Sequence, residues 1–67
     1  PFVNIKIADD PITKEQKAEL ISGVTQLLEK VLNKNPANTF VIIDQVNTDN
    51  WGLGGEQVSE IRKKQAK

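Results

Sequence analysis

Thr39-Phe40-Val41-Ile42-Ile43-Asp44-Gln45-Val46 is the stretch that decides the fold. Its β-branched and aromatic residues read as a strand. Its centre is apolar on both faces, with Val41 and Ile43 on one and Phe40 and Ile42 on the other. A single helix covers only one face of a sheet. The second face therefore calls for another cover, and another subunit is the natural candidate.

The residues before this strand supply the helix. Thr13-Lys14-Glu15-Gln16 fits a capping box, with Thr13 as N-cap and Gln16 reaching back to it. Leu20, Ile21, Val24, Leu27, Leu28, Val31 and Leu32 then draw one apolar stripe at helical period. Gly23 within the helix costs roughly 1 kcal/mol against Ala, which suggests close packing there. Asn33-Lys34-Asn35-Pro36 ends the helix. Further upstream, residues 2–8 alternate. Val3, Ile5 and Ile7 share one face, and Phe2, Asn4, Lys6 and Ala8 share the other. Asp9-Asp10-Pro11 breaks that strand. Strand, helix and strand within about 40 residues make a β-α-β unit with parallel strands and a right-handed crossover.

After the second strand, Asn47-Thr48-Asp49-Asn50 is a polar turn. Trp51-Gly52-Leu53-Gly54-Gly55 reads as a tight hairpin or bulged segment. The tail from Glu56 to Lys67 reads as a short helix or turn that frays at its end. The expected class is thus α+β: a β-α-β protomer with a short C-terminal hairpin or turn, in a single domain spanning 1–67.

Composition narrows the function. Nine Lys and Arg balance nine Asp and Glu, which removes the field that would attract nucleic acid or an anionic membrane. No apolar run approaches the roughly 18 residues of a transmembrane helix. Cys and His are both absent, so there is no disulfide, no thiolate, no cysteine zinc site, no Ser–His or Cys–His pair and no imidazole metal ligand. A core below about 70–80 residues usually needs a staple, and self-association is the one that remains.

Three other motifs favour ordinary structural roles. Gly52-Leu53-Gly54-Gly55 lacks the Lys-Ser/Thr of a phosphate loop, so tight backbone geometry is the better account. Asn47, Asp49 and Glu56 do not fit a calcium loop, because Trp51 and Val58 fall at ligand positions. Asp9-Asp10 reads as a solvated loop, and Arg62, Lys63, Lys64 and Lys67 as a solvated end.

The start of the chain is more telling. Pro1 leads directly into the first strand, which would fix its nitrogen on a rigid element. The sequence begins without Met, which is then expected to be removed, disordered or trimmed, and a following Pro permits removal. No basic segment followed by an apolar one precedes the strand, so the expected location is cytoplasmic. Free α-amino groups titrate near ~7.7–8.0, and partial desolvation favours their neutral form. A neutral amine near pH 7 is a competent general base.

Terminal Pro1, the capped helix beginning Glu15-Gln16-Lys17, the apolar second strand, Trp51-Gly52-Leu53-Gly54-Gly55-Glu56 and Arg62 occur in an order that resembles the 4-oxalocrotonate tautomerase family. The resemblance runs over nearly the whole chain. It implies a homohexamer built as a trimer of dimers. It also implies that Pro1 is the catalytic base, taking a proton from an enol oxygen and returning one to carbon, with no cofactor and no metal. The family's active-site aromatic falls at Trp51. Its two substrate-binding arginines lie after the first strand and at the start of the second. This chain has Asp9-Asp10-Pro11-Ile12 and Phe40 there, and its single Arg is Arg62. Lys6 on the first strand is a candidate substitute cation. Without the arginines' bidentate grip a dicarboxylate suits this chain less well than a 2-hydroxydienoate or enolpyruvate with an uncharged tail, for which Phe40 and Trp51 would be the contacts. The alternatives are a structural or interaction oligomer with an impaired site, and a hydratase or dehalogenase that keeps Pro1.

Overall fold

A computed structural model of the chain describes residues 1–65. The first strand, β1, is Phe2–Ala8. Helix α1 spans Lys14–Leu32, and the second strand, β2, is Phe40–Val46. The pair is parallel, in a register that sets Phe2 beside Phe40, Lys6 beside Asp44 and Ala8 beside Val46. A hairpin of β3, Gly52–Leu53, and β4, Glu56–Gln57, follows. Helix α2, Val58–Gln65, comes last. Lys67, counted with the basic end of the sequence, and the expected fraying there lie outside the described residues.

Local chemistry accounts for these elements. The capping box forms in full: the Gln16 N–H donates to Thr13 Oγ1 at 3.0 Å, and the Thr13 N–H donates to Gln16 Oε1 at 2.8 Å. Two of the orphan donors of the first turn are thereby satisfied. At the other end Asn33 takes the left-handed conformation, φ 55°, and its N–H closes on Glu29 O. In the hairpin, Gly54 and Gly55 have φ of +61° and +83°. Positive φ at both central residues is what a two-residue type I′ turn requires. The hairpin expected at 51–55 is present but spans Gly52–Gln57: Trp51 leads into its first strand, and Glu56 and Gln57, read with the tail, pair with Leu53 and Gly52 as its second.

Packing within one chain stops short of a core. The strand faces alternate as expected: Val3, Ile5, Ile7, Val41 and Ile43 are half-buried, while Phe2, Phe40 and Ile42 are exposed. No described side chain is fully buried. Of the apolar stripe on α1, Leu20, Ile21, Leu27, Val31 and Leu32 are exposed. An apolar groove of about 590 Å³ runs between α1 and the end of β1, lined by Ile7, Ile12, Leu20, Val24 and Leu27. Gly23 also faces this groove, and a Cβ there would meet nothing within 4 Å. The close packing expected at Gly23 is therefore not made within the protomer. The Cα radius of gyration is 15.5 Å, against about 11 Å for a compact chain of this length.

Candidate active site

The parallel register sorts the expected site residues to opposite ends of the sheet. Pro1 stands at the amino end of β1 and is exposed. Its carbonyl accepts the Phe40 N–H at 2.8 Å, which continues the ladder by one bond and fixes the terminal residue against β2. Phe40 is thus Pro1's direct backbone partner in the same chain. Phe2 pairs with Phe40, and both rings lie on the exposed face. Two phenyl groups thus stand on one face at the strand ends that follow Pro1 and contain its backbone partner, and sequence reasoning picked out only Phe40 of them. Phe2 could have been found from the pattern: in parallel strands starting at residues 2 and 40, side chains at those positions share a face.

Trp51 is at the other end. It follows the 3-10 turn Thr48–Asn50 and is half-buried. Its indole Nε1–H donates to Val46 O at 3.0 Å, its N–H donates to Thr48 O at 3.3 Å, and its carbonyl accepts the Val58 N–H at 2.8 Å. Val46 is the last residue of β2. Six steps along a strand separate the two ends, or about 20 Å at the usual rise. Pro1 and Trp51 of one protomer therefore do not share a pocket.

Lys6 is five residues along β1 from Pro1, where its Nζ meets Asp44 Oδ2 at 2.7 Å. The two are register partners, so the pair is a cross-strand ion pair on the exposed face. The loop after β1 differs from its sequence expectation. Asp10 is not simply solvated: it accepts both arms of Arg62, at 2.8 and 3.3 Å. The Arg62 guanidinium, hydrogen-bonded to it, holds the Asp10 carboxyl below the usual carboxylate range, and Asp10 in turn raises the Arg62 value. The solvated-end account of Arg62 is corrected accordingly. Lys63 pairs with Glu60 at 3.0 Å, and Lys64 pairs with Glu56. Donating that hydrogen bond to the Glu60 carboxylate raises the Lys63 value. Among the described residues no group of three or more acidic, His or Cys side chains is placed to hold a metal, and no helix is long and apolar enough to cross a membrane.

Known proteins share this fold. The family model described as tautomerase enzyme matches residues 1–61. A probable tautomerase of Dickeya dadantii, K2, is 65% identical over 63 residues, covering 94% of each chain. The crystal structure of DmpI from Helicobacter pylori superposes with a TM-score of 0.87 at 52% identity, covering 94% of this chain and 97% of that one. A heterohexameric 4-oxalocrotonate tautomerase from Chloroflexus aurantiacus superposes with a TM-score of 0.78 at 26% identity, covering 91% and 97%. With the β-α-β fold, the terminal Pro1 and the glycine hairpin already in place, these matches show that the chain belongs to the tautomerase family, among the homologues of 4-oxalocrotonate tautomerase.

Proposed function

We propose that this protein is a homo-oligomeric keto–enol tautomerase, in which the Pro1 nitrogen carries the proton. The observation that supports this most is the display of Pro1: an exposed terminal residue held to β2 by the Phe40 N–H, in a chain of the tautomerase family. The neutral nitrogen takes the proton from the enol oxygen. The electron pair moves into the conjugated system as the carbonyl forms, and the protonated nitrogen returns a proton to carbon. No net charge or redox change results.

The substrate we infer is a 2-hydroxydienoate or enolpyruvate-type acid with an uncharged tail. Phe2 and Phe40 beside Pro1 would favour an apolar tail. Lys6 remains the candidate contact for the carboxylate, but at five strand steps, about 16 Å, from its own Pro1 it could serve only a neighbouring subunit's site, and it would have to exchange Asp44 for the substrate. Trp51 can line this site only from a neighbouring subunit, given the length of the strands. A shared site requires assembly, and the exposed α1 stripe and sheet face favour it. The heterohexamer of a related chain supports assembly of six subunits, and we propose a homohexamer here, as the trimer of dimers that the family resemblance implies. We place the protein in the cytoplasm as one domain over 1–67.

Replacing Pro1 tests the mechanism. Pro1→Ala should lower kcat on an arylenolpyruvate by about 10²–10⁴-fold, the usual contribution of a positioned acid–base group. An electrophilic alkynoate should add to the wild-type terminal nitrogen, and peptide mass spectrometry would locate it. Unchanged turnover in Pro1→Ala would remove Pro1 from the mechanism.

A further inference from the structure

We propose that the Asp10–Arg62 pair is a clasp that positions Trp51. The inference rests on Trp51 being part of the substrate site, and it adds two residues that hold it there.

Several contacts converge on the carboxyl end of β2. Val46 O accepts two donors, the Asp9 N–H at 3.0 Å and the Trp51 indole Nε1–H at 3.0 Å. One carbonyl has two lone pairs, so both bonds can be made at once. The loop after β1 and the indole are thus tied to the same atom. Gln45 Nε2 also donates to Asp10 O at 3.2 Å, which fixes the loop that carries Asp10. On the other side the Val58 N–H, at the start of α2, donates to Trp51 O. Arg62 lies four residues further along α2, on the same helical face as Val58. Its two-armed bond to Asp10 joins α2 back to the loop and closes the ring.

Among the described residues this is the one side-chain ion pair between α2 and the segment joining β1 to α1. The other α2 pairs stay local: Lys64 to Glu56 within the hairpin unit, and Lys63 to Glu60 within the helix. In the hairpin and α2 the packing is partial, with Trp51, Val58 and Ile61 half-buried and none fully buried, so a directed polar contact adds to what orients them. A planar guanidinium on a carboxylate sets both distance and plane. Because the pair is exposed, its weight falls on orientation more than on global stability.

Trp51 is the single Trp of the chain, so its fluorescence reports on the clasp directly. The variants are Asp10→Asn, Arg62→Lys, Asp10→Arg, Arg62→Asp and the double exchange Asp10→Arg with Arg62→Asp. Each single variant, as the intact oligomer, should move the Trp51 emission to the red and raise its acrylamide quenching. KM for an arylenolpyruvate should rise about two- to fivefold with kcat little changed. The double exchange should recover part of both signals. Arg62→Lys keeps the charge and loses the fork, so it decides the matter if a loop variant fails to assemble. Unchanged emission and quenching in assembled Arg62→Lys and Asp10→Asn would overturn the clasp, as would a double exchange no better than its worse parent. The fluorescence arms decide even if no enol substrate is turned over. Pro1→Ala tests the tautomerase reading separately, because it leaves the Asp10–Arg62 pair and the bonds to Trp51 within the protomer in place.

Discussion

Asp10 shows how one side chain can be misjudged from its neighbours alone. Beside Asp9 and before Pro11 it looks like a loop acid in water, yet it is the acceptor for Arg62, 52 positions away. The hydrogen bond from Arg62 lowers its pKa, which fixes the direction of a pH effect. A carboxyl whose folded value lies below its unfolded value stabilises the fold above the unfolded value, about 3.9, and that stabilisation is lost as pH falls through the folded value. Arg62 and Lys63, both raised, contribute below their unfolded values and lose that contribution only in strong alkali. The gap in urea midpoint between wild type and Asp10→Asn should therefore hold constant from about pH 5 to 8 and close on acidification below about pH 3. Both proteins would be titrated with urea across that range. A gap independent of pH would mean that the Asp10 charge does not contribute through this pair.

At the scale of elements, the hairpin illustrates what backbone geometry demands. A Cβ on Gly54 or Gly55 would touch nothing within 4 Å, so only the positive φ resists substitution. Gly55→Ala should cost about 1 kcal/mol, with the midpoint in urea lowered and the dependence on denaturant unchanged. A midpoint equal to wild type would show that the turn tolerates another conformation. The turn was legible in the sequence for the same reason: paired glycines are a local signal. So were β1, α1 and β2, from period-two alternation in residues 2–8, the Thr13–Gln16 box, and the apolar centre of 40–43. Lys6–Asp44 and Asp10–Arg62 were not. The first depends on strand register, the second on where α2 docks, and neither is written in any one window of sequence. The placement of Pro1 with Phe40, and of Trp51 at the far end, follows from the parallel crossover. It was implicit in the β-α-β reading, but the roughly 20 Å between them emerges only when the register is known.

The whole molecule is governed by what one chain leaves uncovered. Two parallel strands present an outer edge each, and such a small sheet is marginal in water on its own. Phe2, Phe40 and Ile42 are exposed on one face of the sheet, and Leu27, Val31 and Leu32 are exposed on α1. No described side chain is fully buried, and we infer that the apolar burial one chain leaves unmade is completed by contacts between copies. Folding and assembly are then one equilibrium, and mass action makes stability depend on protomer concentration. The thermal midpoint should rise over an about hundredfold increase in concentration, and native mass spectrometry of the same samples should show the oligomer lost together with secondary structure. Val31→Lys, which sets a charge in the exposed helical stripe, should shift both transitions to lower temperature in step. A midpoint independent of concentration, or a folded monomer on dilution, would place the stabilising contacts within the single chain. Trp51 would then have no neighbouring Pro1 to approach, and the shared-site proposal would fall with the assembly.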